Sequence, residues 1–251
     1  MMQEPLNKRK VIRYLLIFAV STVVLILIVA GITILRTLNR TIIQFDIQQN
    51  QEVIYLSTYA EPPQFAIWIE NIQTGHLQTV FVTYRVSTGD WEGKADVPVA
   101  LPKWYDLFRG SDGSKDSRDD VAAITGATPQ EDYFSIRAEV RPGTRWKCWI
   151  EVNLAGDYNE AFPEFDFETL TEDEFAQGQP AMLYSTEITA KEGLVFTPEL
   201  IAQSVWEDGT NRVEPVSEGV TTAKDIFTDI KISVIRPRPM LIDKHTIENN
   251  K

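Results

Sequence analysis

Only two histidines, His76 and His245, and one cysteine, Cys148, occur among the 251 residues, which narrows the chemistry open to the chain. His76 falls in the turn-like run Gln73-Thr74-Gly75-His76, and His245 in a polar C-terminal stretch. A Ser-His-Asp triad or a His-rich metal centre needs an imidazole held by surrounding structure, and neither position provides one. Cys148 lies between Trp146 and Ile150 in an alternating apolar run, where a neutral thiol packed in a core is expected. A lone cysteine also excludes an internal disulfide and a redox pair. Adjacent carboxylates such as Asp119 and Asp120 point apart on an extended chain, so acid–base pairing is not expected of them. The chain is therefore read as a non-enzyme.

Binding chemistry has more support. The run from Ser111 to Asp120 gathers oxygen donors on Asp112, Asp116, Asp119 and Asp120, and a hard cation such as Ca²⁺ takes six to eight oxygens. Counted from Asp112, however, the sixth and twelfth places of an EF-hand loop hold Ser117 and Ala123, where Gly and Glu are needed. Lys115 and Arg118 add positive charge, so an exposed loop is the first expectation and Ca²⁺ ligation by those four aspartates the second. No other cofactor is expected. A second stretch, Asp157 to Gln177, interleaves eight carboxylates with Tyr158, Phe162, Phe165, Phe167 and Phe175. Aromatics anchor and carboxylates steer in protein interfaces, so Tyr158, Phe162, Phe165 and Phe167 are candidate partner contacts. The alternative is a long loop folded back on its own domain. Trp91, Trp104 and Trp206 lie in loop-like segments and could stack on a glycan, although core and anchoring roles are commoner for tryptophan.

These groups must be carried outside a membrane. Residues 14–35, Tyr14 to Leu35, contain no charge and are long enough to cross about 30 Å of hydrocarbon as a helix. A cleaved signal would have a shorter apolar core and a small-residue site beyond it, so an uncleaved anchor is expected. Lys8, Arg9, Lys10 and Arg13 precede the segment and only Arg36 and Arg40 follow closely, which predicts the N-terminus inside. Residues 1–13 carry +3, so a whole-chain charge of −12 leaves −15 on the remainder. Such a field repels nucleic acid and attracts cations or basic partners. The expected location is the bacterial cytoplasmic (inner) membrane, single-pass, with the C-terminal domain periplasmic or extracellular.

Beyond the membrane the dominant pattern is short period-two runs rich in β-branched and aromatic residues. Strands are expected over 52–59, 65–70, 78–86, 134–140, 146–153, 181–188 and 227–235, with a hairpin turn at Gln73–His76 and a turn at Arg141–Thr144 between the fourth and fifth. Short helices are expected around Leu101–Arg109 and Pro198–Gln203. The spacing predicts a mainly β, antiparallel immunoglobulin-like sandwich, with a partly open barrel as the alternative. The division expected is a cytoplasmic tail (1–13), a transmembrane helix (14–35), a linker (36–51), an extracytoplasmic domain (52–236) and a tail (237–251).

Phe65-Ala66-Ile67-Trp68-Ile69-Glu70, a glycine-bearing turn, Leu101-Pro102-Lys103-Trp104, Ile124-Thr125-Gly126-Ala127-Thr128-Pro129 and Trp149-Ile150-Glu151-Val152-Asn153-Leu154 follow in order. This pattern resembles an uncharacterised family of predicted bacterial periplasmic proteins, over residues 65–155. The resemblance implies a β-sandwich outside the cytoplasmic membrane and brings no activity and no catalytic residues. The chain departs from that family in keeping an anchor and in extending well past residue 155. The function expected is a membrane-anchored, non-catalytic binding or accessory domain with a protein partner; the alternative is a small-ligand module for Ca²⁺ or a glycan.

Overall fold

A computed structural model describes residues 8–37, 39–83, 86, 100–108, 124–126, 129, 131–173, 175–207 and 209–237. Lys8–Thr37 is one helix, α1, and its stretch Ile12–Leu35 is long and apolar enough to cross a membrane. The hydroxyls of Ser21 and Thr22 both donate to the Phe18 carbonyl at 2.9 Å, and that of Thr33 to the Ala30 carbonyl at 2.8 Å. Polar side chains that return to their own backbone in this way can be tolerated in hydrocarbon.

The compact domain runs from Thr41 to Ile235. Residues 36–51, expected as a linker, instead contain strand β1 (Thr41–Gln49), whose alternate residues Ile43, Phe45 and Ile47 are fully buried. Gln44, Asp46 and Gln48 on the other face disguise that apolar stripe. The strand expected over 52–59 is also corrected: Gln51–Leu56 is a short helix, α2, whose N-cap Asn50 accepts from the Val53 N–H at 3.4 Å. Asn before a turn carrying Glu52 is an N-terminal signal that outweighs the β-branched content of so short a run.

The remaining expected strands are present as β2 (Gln64–Asn71), β3 (Leu77–Thr83), β5 (Tyr133–Val140), β6 (Arg145–Asn153), β9 (Ala181–Thr189) and β13 (Phe227–Ile235). Shorter pieces are β4 (Ile124–Gly126), β7 (Phe165–Asp166), β8 (Thr171–Glu172) and β10 (Val195–Phe196). Pro198–Gln203, expected as a short helix, lies almost wholly in β11 (Glu199–Glu207), which pairs with β9 on one side and β12 (Thr210–Glu214) on the other. Two neighbouring strands supply hydrogen bonds that override local helical preference. Helix α3 (Pro102–Phe108) matches the other expected helix.

One sheet has the order β10-β13-β1-β5 and the other β12-β11-β9-β6-β2-β3-β4; every pairing is antiparallel except β3 with β4. Ile43, Phe45 and Ile47 of β1 join Ile136 and Ala138 of β5 and Ile230 and Ile232 of β13 in one buried cluster. Phe65, Ile67, Cys148, Ile150, Met182 and Tyr184 of the larger sheet belong to the same cluster. Phe65 ties the two layers together: its ring centroid lies 5.0 Å from Phe81, 5.3 Å from Phe134 and 5.6 Å from Phe227. The result is a two-layer β-sandwich, an architecture compatible with the immunoglobulin-like arrangement.

The larger sheet is buried on its outer face as well. Ala66, Trp68, Val82, Leu183 and Ala202 pack there with Leu101, Trp104 and Phe108 around α3. The register also separates two ends. Ile42 pairs with Ile235, so both domain termini lie at one end, whereas Gln49 opposite Phe227 marks the other. Helix α2, the segment 154–180 and the turn Thr222–Asp225 all belong to this second, apical end.

Candidate functional site

The acidic aromatic stretch forms an excursion at the apical end, between β6 and β9, and its base is tightly held. Asn153 donates through Nδ2 to the Gln179 carbonyl at 3.0 Å, and Gln179 donates through Nε2 to Asp157 Oδ2 at 2.9 Å. Thr222 donates its hydroxyl to Asp157 Oδ1 at 2.6 Å, closing the network against the 222–225 turn. Burial pushes the Asp157 carboxyl up, opposed by the hydrogen bonds from Thr222 and Gln179. Higher up, Asn159 accepts the N–H groups of Ala161 and Phe162, both at 2.9 Å, and donates to the Gly219 carbonyl at 2.9 Å.

Gly178 makes this base possible. Its φ is +66°, and a Cβ placed there would lie 2.7 Å from the backbone nitrogen of Asp157. Gly178→Ala should therefore cost about 2 kcal/mol through backbone strain and a contact that cannot relax by a side-chain rotation. Urea unfolding should show the loss, and limited proteolysis should show faster cleavage within 154–180 than elsewhere.

Above the base, β7 and β8 pair as a small hairpin. Asp166 Oδ1 accepts from the Glu168 N–H at 2.8 Å, and Oδ2 accepts from the Thr169 hydroxyl at 2.8 Å, which folds the tip as an Asx turn. Those hydrogen bonds, Thr169 first, hold the Asp166 carboxyl below its ordinary value. Phe165 and Phe167 meet edge to face at 4.9 Å, and Phe167 and Leu170 are 83 % and 74 % exposed. Leu170 also has φ +56°, a left-handed conformation that a leucine adopts at a cost. The hairpin thus holds two apolar side chains out in water on a defined backbone.

The four expected contacts separate into two pairs. Phe165 and Phe167 are at the exposed tip. Phe162 is half-buried and packs against the main core, so it anchors the excursion and does not present a face. Tyr158 is half-buried and hydrogen-bonds Tyr59; burial first and that bond second push its phenol up. Leu170 was not among the expected contacts, because a leucine amid carboxylates gives no local sign that it sits at a hairpin tip.

Other expected groups fall elsewhere. Asp112, Asp116, Asp119, Asp120 and Trp91 lie outside the described residues. Among the described residues no cluster of three or more His, Cys, Asp or Glu side chains is spaced to hold a metal ion. Trp104, considered for glycan stacking, is fully buried, and Trp206 meets Tyr105 edge to face at 5.4 Å. Cys148 is a core residue whose thiol is pushed up by burial. His76 is exposed in the β2–β3 turn.

One buried carboxyl is absent from the sequence reading. Glu151 on β6 is fully buried and accepts the Lys103 N–H at 2.9 Å and the Trp104 N–H at 2.7 Å. It caps the start of α3 from a neighbouring strand, satisfying N–H groups that have no partner within the helix. Burial pushes its carboxyl up to about 7, while the two backbone bonds, Ser204 and Lys103 pull the other way. A carboxyl near neutrality is suited to acid–base catalysis, but both oxygens here are engaged by structural donors inside a closed core. Its alternation partner Trp149 stacks on Trp68 at 5.8 Å, which places the pair beneath α3.

No family model, no curated protein and no solved structure matches the chain.

Proposed function

We propose that the chain is a single-pass protein of the bacterial cytoplasmic membrane, with its N-terminus inside and its β-domain on the extracytoplasmic side. In this reading it works without catalysis, as a binding or accessory subunit of an envelope or membrane complex. The observation that carries the reading is the β7–β8 hairpin, which keeps Phe167 and Leu170 in water above a base braced by buried hydrogen bonds. Large exposed apolar side chains on a rigid frame lose little conformational freedom on docking, so their burial favours association. Lys8, Arg9, Lys10 and Arg13, at the start of α1, support the orientation of the apolar span.

Recovery of partners from gently solubilised native membranes tests this, using full-length protein and the double variant Phe167→Asp/Leu170→Asp. Both positions are solvent-facing, so the variant should unfold at the same urea concentration as the parent. A stoichiometric partner should be recovered with the parent and reduced at least about tenfold with the variant, the expected effect of removing two anchor residues. Equal recovery would rule the hairpin out as the contact.

A further inference from the structure

We infer that helix α2 forms a second half of this docking surface, and that the partner is a protein presenting an apolar pocket rimmed by lysine and arginine. The inference rests on the binding reading above. Tyr55 and Leu56 of α2 are 78 % and 71 % exposed, as open as the hairpin tip. A run of backbone hydrogen bonds joins the two elements: Thr58 N–H to Gly156 O at 3.0 Å, Gly156 N–H to Ala176 O at 2.8 Å, Ala176 N–H to Asp173 O at 3.1 Å, and Asp173 N–H to Glu164 O at 2.9 Å. Gly156 keeps this run close-packed, since a Cβ there would meet the Tyr59 ring at 2.6 Å. Soluble surfaces rarely expose large apolar groups together without a partner.

Charge identifies the occupant. No lysine or arginine occurs from residue 41 to 84 or from 148 to 190, the two stretches that supply these loops. Glu52, Glu160, Glu164, Glu168 and Glu172 are all exposed on them. The turn Thr222–Asp225 adds one exposed lysine, Lys224, with Asp225 beside it, so a second copy of these loops would bring mostly like charge against like, and anionic lipid headgroups would be repelled for the same reason. Aromatic anchors within a negative rim are complementary to a basic-rimmed apolar pocket.

Photo-crosslinking in native membranes tests the inference with full-length protein carrying benzoylphenylalanine at Tyr55 or, separately, at Phe167. The same protein should be captured at both positions, with adducts on peptides rich in lysine or arginine. Glu168→Lys/Glu172→Lys should lower both adducts about tenfold and the neutral Glu168→Gln/Glu172→Gln pair by less, whereas Glu192→Lys, at the opposite end, should leave them unchanged. Capture at Phe167 with none at Tyr55, or of different proteins, would overturn the two-part surface and leave the binding reading standing. Capture of lipid or of a second copy, or indifference to the charge reversals, would overturn the basic partner. Absence of any adduct at either position would count against the binding reading itself.

Discussion

Glu151→Ala should destabilise the domain by about 3 kcal/mol, because two N–H groups of α3 would be left inside a closed core without an acceptor. Helix α3 should loosen first, since its indole anchor, Trp104 Nε1 to Thr79 Oγ1 at 3.2 Å, relies on the helix being held at its start. The parent protein should also carry a pH signature from this group. Its folded carboxyl, pushed up to about 7 from an ordinary 4.5, holds a proton that the unfolded chain has released. Between those two values the folded state binds more protons than the unfolded state, so this group's contribution to stability falls as pH rises through the window. The full loss is about 3 kcal/mol across it. Glu151→Gln keeps an acceptor for one N–H and cannot ionise, so its stability should change less than the parent's between pH 5 and 8. Urea unfolding of the detergent-solubilised protein, followed by tryptophan fluorescence at several pH values, measures both effects. An unchanged slope in the Gln variant would mean that Glu151 is already ionised throughout that range.

Much of the frame was legible because the period-two signal is strong where one face is buried. The strands at 134–140, 146–153 and 227–235 fall where alternation of Ile, Phe and Trp with polar residues places them. Glu151 escaped for the converse reason. Assigning Cys148, Ile150 and Val152 to the core leaves Lys147, Trp149 and Glu151 for water, yet the outer face of this sheet is covered around α3. The unbroken apolar run Phe65-Ala66-Ile67-Trp68-Ile69 in β2 carried the missing signal, since a strand wet on one face would alternate. At the candidate site the composition was readable but the geometry was not. Phe162, Phe165 and Phe167 look equivalent in sequence; the Asx turn at Asp166 and the packing beneath Phe162 send two outward and one inward.

The segment after the membrane helix supplies the other large effect. Residues 41–49 look like a tether because four of the nine are Gln or Asp, but β1 lies between β13 and β5 and pairs with both. A chain beginning at Thr41 should fold to a soluble domain with the cooperative unfolding of the full-length protein. One beginning at Glu52, where the expected linker ends, should not fold. It loses Ile43, Phe45 and Ile47, all fully buried, at about 2 to 3 kcal/mol each. It also splits the four-stranded sheet, leaving the inner edges of β13 and β5 without partners and the Phe65 side of the core open. Those losses together reach the whole stability of an ordinary domain, roughly 5 to 15 kcal/mol. Far-ultraviolet circular dichroism and urea titration of the two truncations decide the matter, and a cooperative transition in the shorter chain would mean that β13 and β5 can close on each other without β1. The residues expected to tether the domain are thus a central strand of the smaller sheet.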